Sequence, residues 1–262
     1  MAYYQKHQIW FWTYLQNWPL IFRDDANANA LNHYWSLAIE EQYYLVWPLI
    51  VLLLKKPGRI IIFCFLMLSA VIAARIYIWN NAEFFPSYER AFLFTRLDGI
   101  LIGSMLAALW HIKSTHLRKY FTTFLIILTI ANYIYYLFKK NQNPDFPSWA
   151  IAGFTTFSLV FAMAIYEAVM KENKLINFVL TNRILRFLGK YSYGLYIFHW
   201  PIALMTIQYF NNITSLLFQK GGLIQQIGTG LLCTFSAIIV SVISYHAFEI
   251  HFLKLKKYFS KN

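Results

Sequence analysis

Long apolar runs alternate with short polar connections along nearly the whole chain. Seven runs, near residues 36–54, 60–79, 91–110, 120–138, 148–169, 191–210 and 223–247, are long enough to cross a bilayer as helices, which takes about twenty residues each. The pattern therefore predicts an all-α fold, a polytopic transmembrane helix bundle of about seven full spans, with residues 1–262 forming a single membrane domain. Residues 9–22 are aromatic-rich but shorter and end in Arg23-Asp24-Asp25. They read as the tail of an earlier span or as an interfacial helix. The longest hydrophilic connection, Lys171 to Lys190, carries its own apolar periodicity through Leu175, Val179, Leu180, Ile184 and Phe187. That periodicity predicts a short amphipathic helix on the inner membrane surface. No repeat of fixed period is evident, so a repeat-built transporter is not supported.

Composition agrees with a membrane protein. The chain is 59% hydrophobic and 20% aromatic, only 13% charged, with a mean hydropathy of +0.45; a soluble domain carries about a quarter charged residues. The net charge of +12 would suggest nucleic acid in a soluble protein. Here the basic residues cluster in short loops, which is a signature of topology, so no nucleic-acid partner is expected. Fifteen lysines and arginines fall in the connections after the first, third and fifth runs and at the C-terminus, against five in the opposite connections. That bias places the C-terminus in the cytoplasm. Cys64 and Cys233 both lie in apolar runs with no metal-ligand spacing, so they read as small packing residues and no metal is expected.

Ionisable residues inside these runs stand out, because a charge in lipid is costly unless it is paired. Glu40 and Glu41 lie about one turn before the uncharged stretch Leu45 to Leu54, and Arg75, Arg96 and Asp98 fall in the next two runs. With the orientation above, all five collect in the outer half of three consecutive spans. Mutual pairing around a watery pocket that opens outward is one reading; an ion-pair network that only staples helices is the other. The two glutamates also fit the first turn of a helix, whose dipole favours anions. Arg96 and Asp98, two positions apart, point away from each other on a helix, so each should meet a neighbouring span, with Glu40 the expected partner of Arg96. Gly99, Gly103 and Ala107 follow at four-residue spacing, a stripe that lets another helix come close.

A second constellation lies in the sixth run. Ser192, Tyr196 and His199 share one helical face, and His199 falls near the bilayer midplane. Pro201 should kink the helix and release backbone carbonyls there. Such a histidine can orient a hydroxyl or move a proton, or it can be a buried structural residue. Glu249, near the end of the last run, is expected to face Lys254 or Lys257. His7, His33, His111, His116, His246 and His251 form no metal constellation.

Three stretches together resemble the acyltransferase-3 family of bacterial membrane proteins, which O-acylate cell-envelope polysaccharides and related glycans. They are Trp35-Ser-Leu-x-x-Glu-Glu-Gln-x-Tyr-Leu-x-Trp-Pro48, Arg96-x-Asp-Gly-x-x-x-Gly103 and Gly189-Lys-x-Ser-Tyr-x-x-Tyr-x-x-His-x-Pro201. The resemblance implies acyl transfer from acyl-CoA, usually acetyl-CoA, to a hydroxyl of an envelope saccharide or lipid-linked glycan, at the bacterial inner membrane. It assigns Glu40, Arg96, Asp98 and His199 to the catalytic set, and Trp35, Ser36, Glu41, Tyr44, Ser192 and Tyr196 to substrate binding. Lys190, Arg186 and Arg183 suit CoA phosphates, although topology explains them equally well. Members normally begin with about three further spans carrying an arginine and, ten residues later, a catalytic histidine. Nothing before Trp35 supplies that pair, and the family's Glu-Pro near the last span is replaced by Glu249-Ile-His251. The chain thus reads as the C-terminal seven spans of a ten-span protein, expected to need a missing N-terminal segment or partner chain. A glycolipid transporter or flippase, or an inert membrane fragment, is the alternative.

Overall fold

A computed structural model describes residues 2–22, 29–81, 91–112, 127, 130–131, 133–138, 151, 153–170, 174–217, 222–255 and 258. Among the described residues all regular structure is helical. In order these are α1 (Ala2–Trp12), α2 (Asn17–Phe22), a 3₁₀ segment (Asn29–Tyr34), α3 (Trp35–Leu54), α4 (Pro57–Asn81), α5 (Leu93–Arg96), α6 (Asp98–His111) and α7 (Phe154–Met170). Then follow α8 (Lys174–Leu180), α9 (Arg183–Lys190), α10 (Ser192–Leu217), α11 (Leu223–Ser244), a π-turn (Tyr245–Glu249) and α12 (Ile250–Leu255).

Three helical stretches are both long and apolar enough to cross a membrane: Ala30–Leu54, Pro57–Asn81 and Leu223–Leu255. The protein is a helical membrane protein on this evidence, but the expected seven spans are only partly realised among the described residues. The third run is interrupted at Leu97, leaving α6 with 14 residues. The fifth gives the 17 residues of α7. The sixth has ample length, 26 residues, but Ser192, His199, Gln208, Asn211 and Asn212 dilute its apolar content. Most of the fourth, 120–138, lies outside the described residues. Residues 9–22 are two elements: α1 ends at a turn in which Tyr14 adopts φ 54°, and α2 begins at Asn17.

The chain forms two compact units, one of Met1–Asn27 with Tyr34–Asn177, the other of Ala28–His33 with Phe178–Asn262. In the first, α4 packs on α6, α6 on α7, and α3 on α4 and α2. Its core is Ile39, Tyr43, Cys64, Val71, Leu97 and Leu101, so Cys64 is the packing residue its sequence setting suggested. Tyr43 stacks on Trp47 at 4.9 Å, and its hydroxyl lies 2.6 Å from Ser104 Oγ, tying α3 to α6. Asn17 is buried at the foot of α2, where its Nδ2 donates to the Ala91 carbonyl and its Oδ1 accepts from Gln42 of α3. Outward, Leu45, Leu49, Leu52 and Leu53 of α3 are exposed, a face suited to lipid tails.

The second unit is built on α10 against α11. Gly194 permits their approach: a Cβ there would sit 3.1 Å from Ser241 Cα and 3.3 Å from Glu249 Oε1. Glu249 therefore lies beside α10, where its Oε1 accepts from Ser244 Oγ at 3.4 Å; Lys257, one of its two expected partners, lies outside the described residues. Because the nearest obstacle is backbone, Gly194→Ala should cost about 1–3 kcal/mol by overpacking, read as a lower thermal midpoint in detergent or nanodiscs. The connection before α10 is two helices instead of one. Asn182 Oδ1 caps α9 by accepting from the Ile184 amide at 2.8 Å, a preferred N-cap arrangement. Exposed Ile184, Leu185 and Phe187 give α9 the expected amphipathic character.

Candidate functional site

The break at Leu97 is the feature that organises the first unit. Thr95 is the last residue but one of α5, and Arg75 Nε reaches across from α4 to donate to its carbonyl at 2.7 Å. The same guanidinium donates through one terminal nitrogen to Asp98 Oδ2 at 2.8 Å. Through the other it donates to the Ile151 carbonyl at 3.3 Å and Thr155 Oγ1 at 3.2 Å. Thr155 Oγ1 in turn donates to Asp98 Oδ2 at 3.0 Å. Arg75 is 0% and Asp98 3% exposed, so this pair meets the condition under which buried charge is tolerated: opposite sign and filled hydrogen-bonding capacity. Asp98 also stands in the first turn of α6, where a helix favours an anion.

Beside this knot lies a cavity of about 350 Å³. Trp35, Ser36, Ile39 and Glu40 of α3 form one wall, Arg96, Asp98, Gly99 and Ile100 the second, and Phe154, Phe157, Ser158 and Phe161 of α7 the third. It is an aromatic-walled space with two carboxylates, those of Glu40 and Asp98, and the Arg96 guanidinium on its lining. Arg96 is held by ring faces: its guanidinium carbon is 4.1 Å from the centre of the Phe154 ring and 5.2 Å from that of Trp35, within cation–π range. Glu40 shares the cavity with Arg96, as the expectation of a common pocket required. Gly99 brings α7 close, since a Cβ there would lie 3.3 Å from Ser158 Oγ, whereas Gly103 faces open space. Only the first step of the expected small-residue stripe is a helix contact.

Glu40 and Glu41 lie in the second turn of α3, which has no acid in its first turn. The helix-dipole explanation for them therefore weakens. Of the other residues expected at the site, Trp35 and Ser36 line the cavity. Glu41 and Tyr44 do not, and Tyr44 is 57% exposed with its ring against Tyr43. Thr95, Thr155, Phe154, Phe157 and Ser158 were not singled out in the sequence. They are ordinary residues of an apolar run, and only the fold brings them to Arg75 and Arg96.

The expected residues of the second constellation belong to the second unit. Ser192 is exposed at the start of α10, where its Oγ donates to the Gly189 carbonyl at 2.9 Å. Tyr196 and His199 form a ring cluster with His33. The ring centres are 5.0 Å apart for His33 and His199, 5.5 Å for His33 and Tyr196, and 5.7 Å for Tyr196 and His199. The Tyr196 hydroxyl donates to the His33 carbonyl at 2.5 Å. Further along this unit, Lys190 lies over the rings of Tyr191 and Tyr245 at 5.1 and 4.8 Å. Among the described residues no group of three or more His, Cys, Asp or Glu is placed to hold a metal ion.

A helical membrane protein with an aromatic-walled cavity lined by carboxylates and a guanidinium is the class these observations define. A family model described as an acyltransferase domain matches residues 3–246, and the chain belongs to that acyltransferase-3 family. It is 26% identical over 214 residues to a provisionally named peptidoglycan O-acetyltransferase, YrhL, of Bacillus subtilis, covering 74% of this chain and 32% of that protein. It is 29% identical over 214 residues to the O-acetyltransferase OatA of Staphylococcus aureus, covering 75% and 34%. Against the peptidoglycan O-acetyltransferase OatA of Listeria monocytogenes it is 26% identical over 212 residues, covering 74% and 33%. The chain thus spans about a third of the length of the curated relatives it matches. No solved structure matches it significantly.

Proposed function

We propose that this protein transfers an acetyl group from acetyl-CoA to a hydroxyl of a cell-envelope saccharide, with peptidoglycan the leading acceptor, and that the Glu40–Arg96 cavity binds the acceptor. The observation that carries this reading is the cavity itself: a carboxylate and a guanidinium face one space walled by aromatic rings, inside a domain whose family performs acyl transfer. Aromatic faces of Trp35 and Phe157 suit the apolar side of a sugar ring, and Glu40 suits its hydroxyl. In the transfer step the hydroxyl oxygen attacks the thioester carbonyl. A C–O bond forms, the C–S bond breaks, the hydroxyl proton passes to Glu40, and the thiolate leaves and is protonated to the free thiol. A carboxylate positioned in this way acts as a general base, with the Arg96 guanidinium on the same cavity lining to balance its charge.

The positive-inside bias supports an inner-membrane protein with its C-terminus and α9 at the cytoplasmic side. Arg183, Arg186 and Lys190 then lie where CoA phosphates are presented. Expression in a host stripped of its own wall O-acetyltransferase tests the reading. Base-labile acetate should appear on purified wall polymer in cells making the chain and stay at background in vector controls. Unmodified wall despite membrane-inserted protein contradicts it.

A further inference from the structure

Among the residues left outside the cavity, His33 makes contacts that its sequence position does not foretell. Pro201 has no N–H, so α10 cannot supply the usual helical donor to the carbonyl four residues earlier, that of Ile197. His33 Nε2 lies 3.2 Å from that oxygen. A carbonyl only accepts, so Nε2 carries the proton and Nδ1 is the acceptor nitrogen of the His33 ring. The same reasoning fixes the second imidazole: His199 Nδ1 is 2.7 Å from the Tyr196 carbonyl and 3.2 Å from that of Leu195. Nδ1 therefore carries the proton, and Nε2 holds the lone pair. The His33 ring meets the His199 ring edge to face, while the Tyr196 hydroxyl clasps the His33 carbonyl from the other side.

We propose that His33 is a positioning residue for His199: seated on the carbonyl that Pro201 frees, it packs edge to face on the His199 ring and holds it in the rotamer whose Nδ1–H reaches the Tyr196 carbonyl, which presents Nε2 as a proton acceptor. The assignment of this imidazole to acyl transfer rests on the function proposed above. A ring with Nδ1 held on a backbone carbonyl offers Nε2 for proton transfer. Nothing is needed from outside the chain and its two substrates.

Ring-¹⁵N histidine NMR on the full chain in nanodiscs reads the tautomers directly and does not depend on activity. The chain has seven histidines, so single substitutions assign the signals. Wild-type His199 should show a protonated Nδ1 and a bare Nε2, and His33 the opposite. His33→Ala should release His199 into a mixture dominated by Nε2–H, whereas His33→Phe, which keeps a ring against His199, should hold the wild-type tautomer. A preparation with transfer activity should show kcat reduced about tenfold in His33→Ala, with KM for the acceptor unchanged. A wild-type His199 protonated at Nε2, or a His199 tautomer indifferent to His33→Ala, overturns the proposal; His33→Phe, with its retained ring, reports on the pair even where the alanine variant folds poorly. Correct tautomers in a chain without transfer activity would leave the positioning intact and count against the proposed reaction instead.

Discussion

Arg75→Met is expected to lower the stability of the first unit by about 3–5 kcal/mol, the range seen when one partner of a buried ion pair is removed. Asp98 would keep its buried carboxylate and lose its cation, and the carbonyls of Thr95 and Ile151 would lose a donor that nothing apolar replaces. Thr155 Oγ1 would remain as a neutral donor to Asp98, which is too little to offset a full charge. The double variant Arg75→Met/Asp98→Leu should recover part of the loss, because replacing both charges removes the stranded one. The two unfolding midpoints in a common detergent, compared with wild type, provide the check. A single variant as stable as wild type would mean that water, and not the Arg75 guanidinium, serves Asp98.

Glu40→Gln is expected to reduce acetyl transfer about 10²- to 10⁴-fold, the usual worth of a positioned general base, with little change in stability. The side chain keeps its size and its place beside Arg96 but can no longer take a proton. Since Glu40 stands on the partly exposed cavity wall and outside the buried Arg75–Asp98 knot, folding should not register the change. Acceptor affinity should change far less than turnover, which distinguishes a lost base from a lost binding group. A glutamine variant with wild-type turnover would move the proton transfer to another residue.

Much of this arrangement was legible in the chain, and what was not has a common cause. The helix from Trp35 to Leu54 and its glutamates follow from an apolar run with two misplaced charges. The pairing of Asp98 with a neighbouring helix follows from the two-residue spacing to Arg96. The interruption at Leu97 does not, because a leucine carries no helix-breaking signal; the Thr95 carbonyl beside the break is met by Arg75, 20 residues earlier. Glu40 and Arg96 share the cavity, and the faces of Phe154 and Trp35 that also meet the guanidinium carry no charge to read in the sequence. His33 looked isolated because the carbonyl it meets is 164 positions away. The one local clue was Pro201, which announces a carbonyl without a helical donor but not the residue that will meet it. The glycine stripe shows the converse: Gly99 and Gly103 look alike in sequence, and only Gly99 faces another helix.

The most direct test is a transfer measurement on purified protein in proteoliposomes, with acetyl-labelled CoA and a soluble peptidoglycan fragment as acceptor. Wild-type protein is expected to place label on the acceptor as a base-labile ester, and Glu40→Gln, reconstituted at the same level, to leave the acceptor at background. Equal labelling by the two proteins would contradict the assignment of this cavity to acyl transfer, as would an acceptor that crosses the bilayer without gaining an ester.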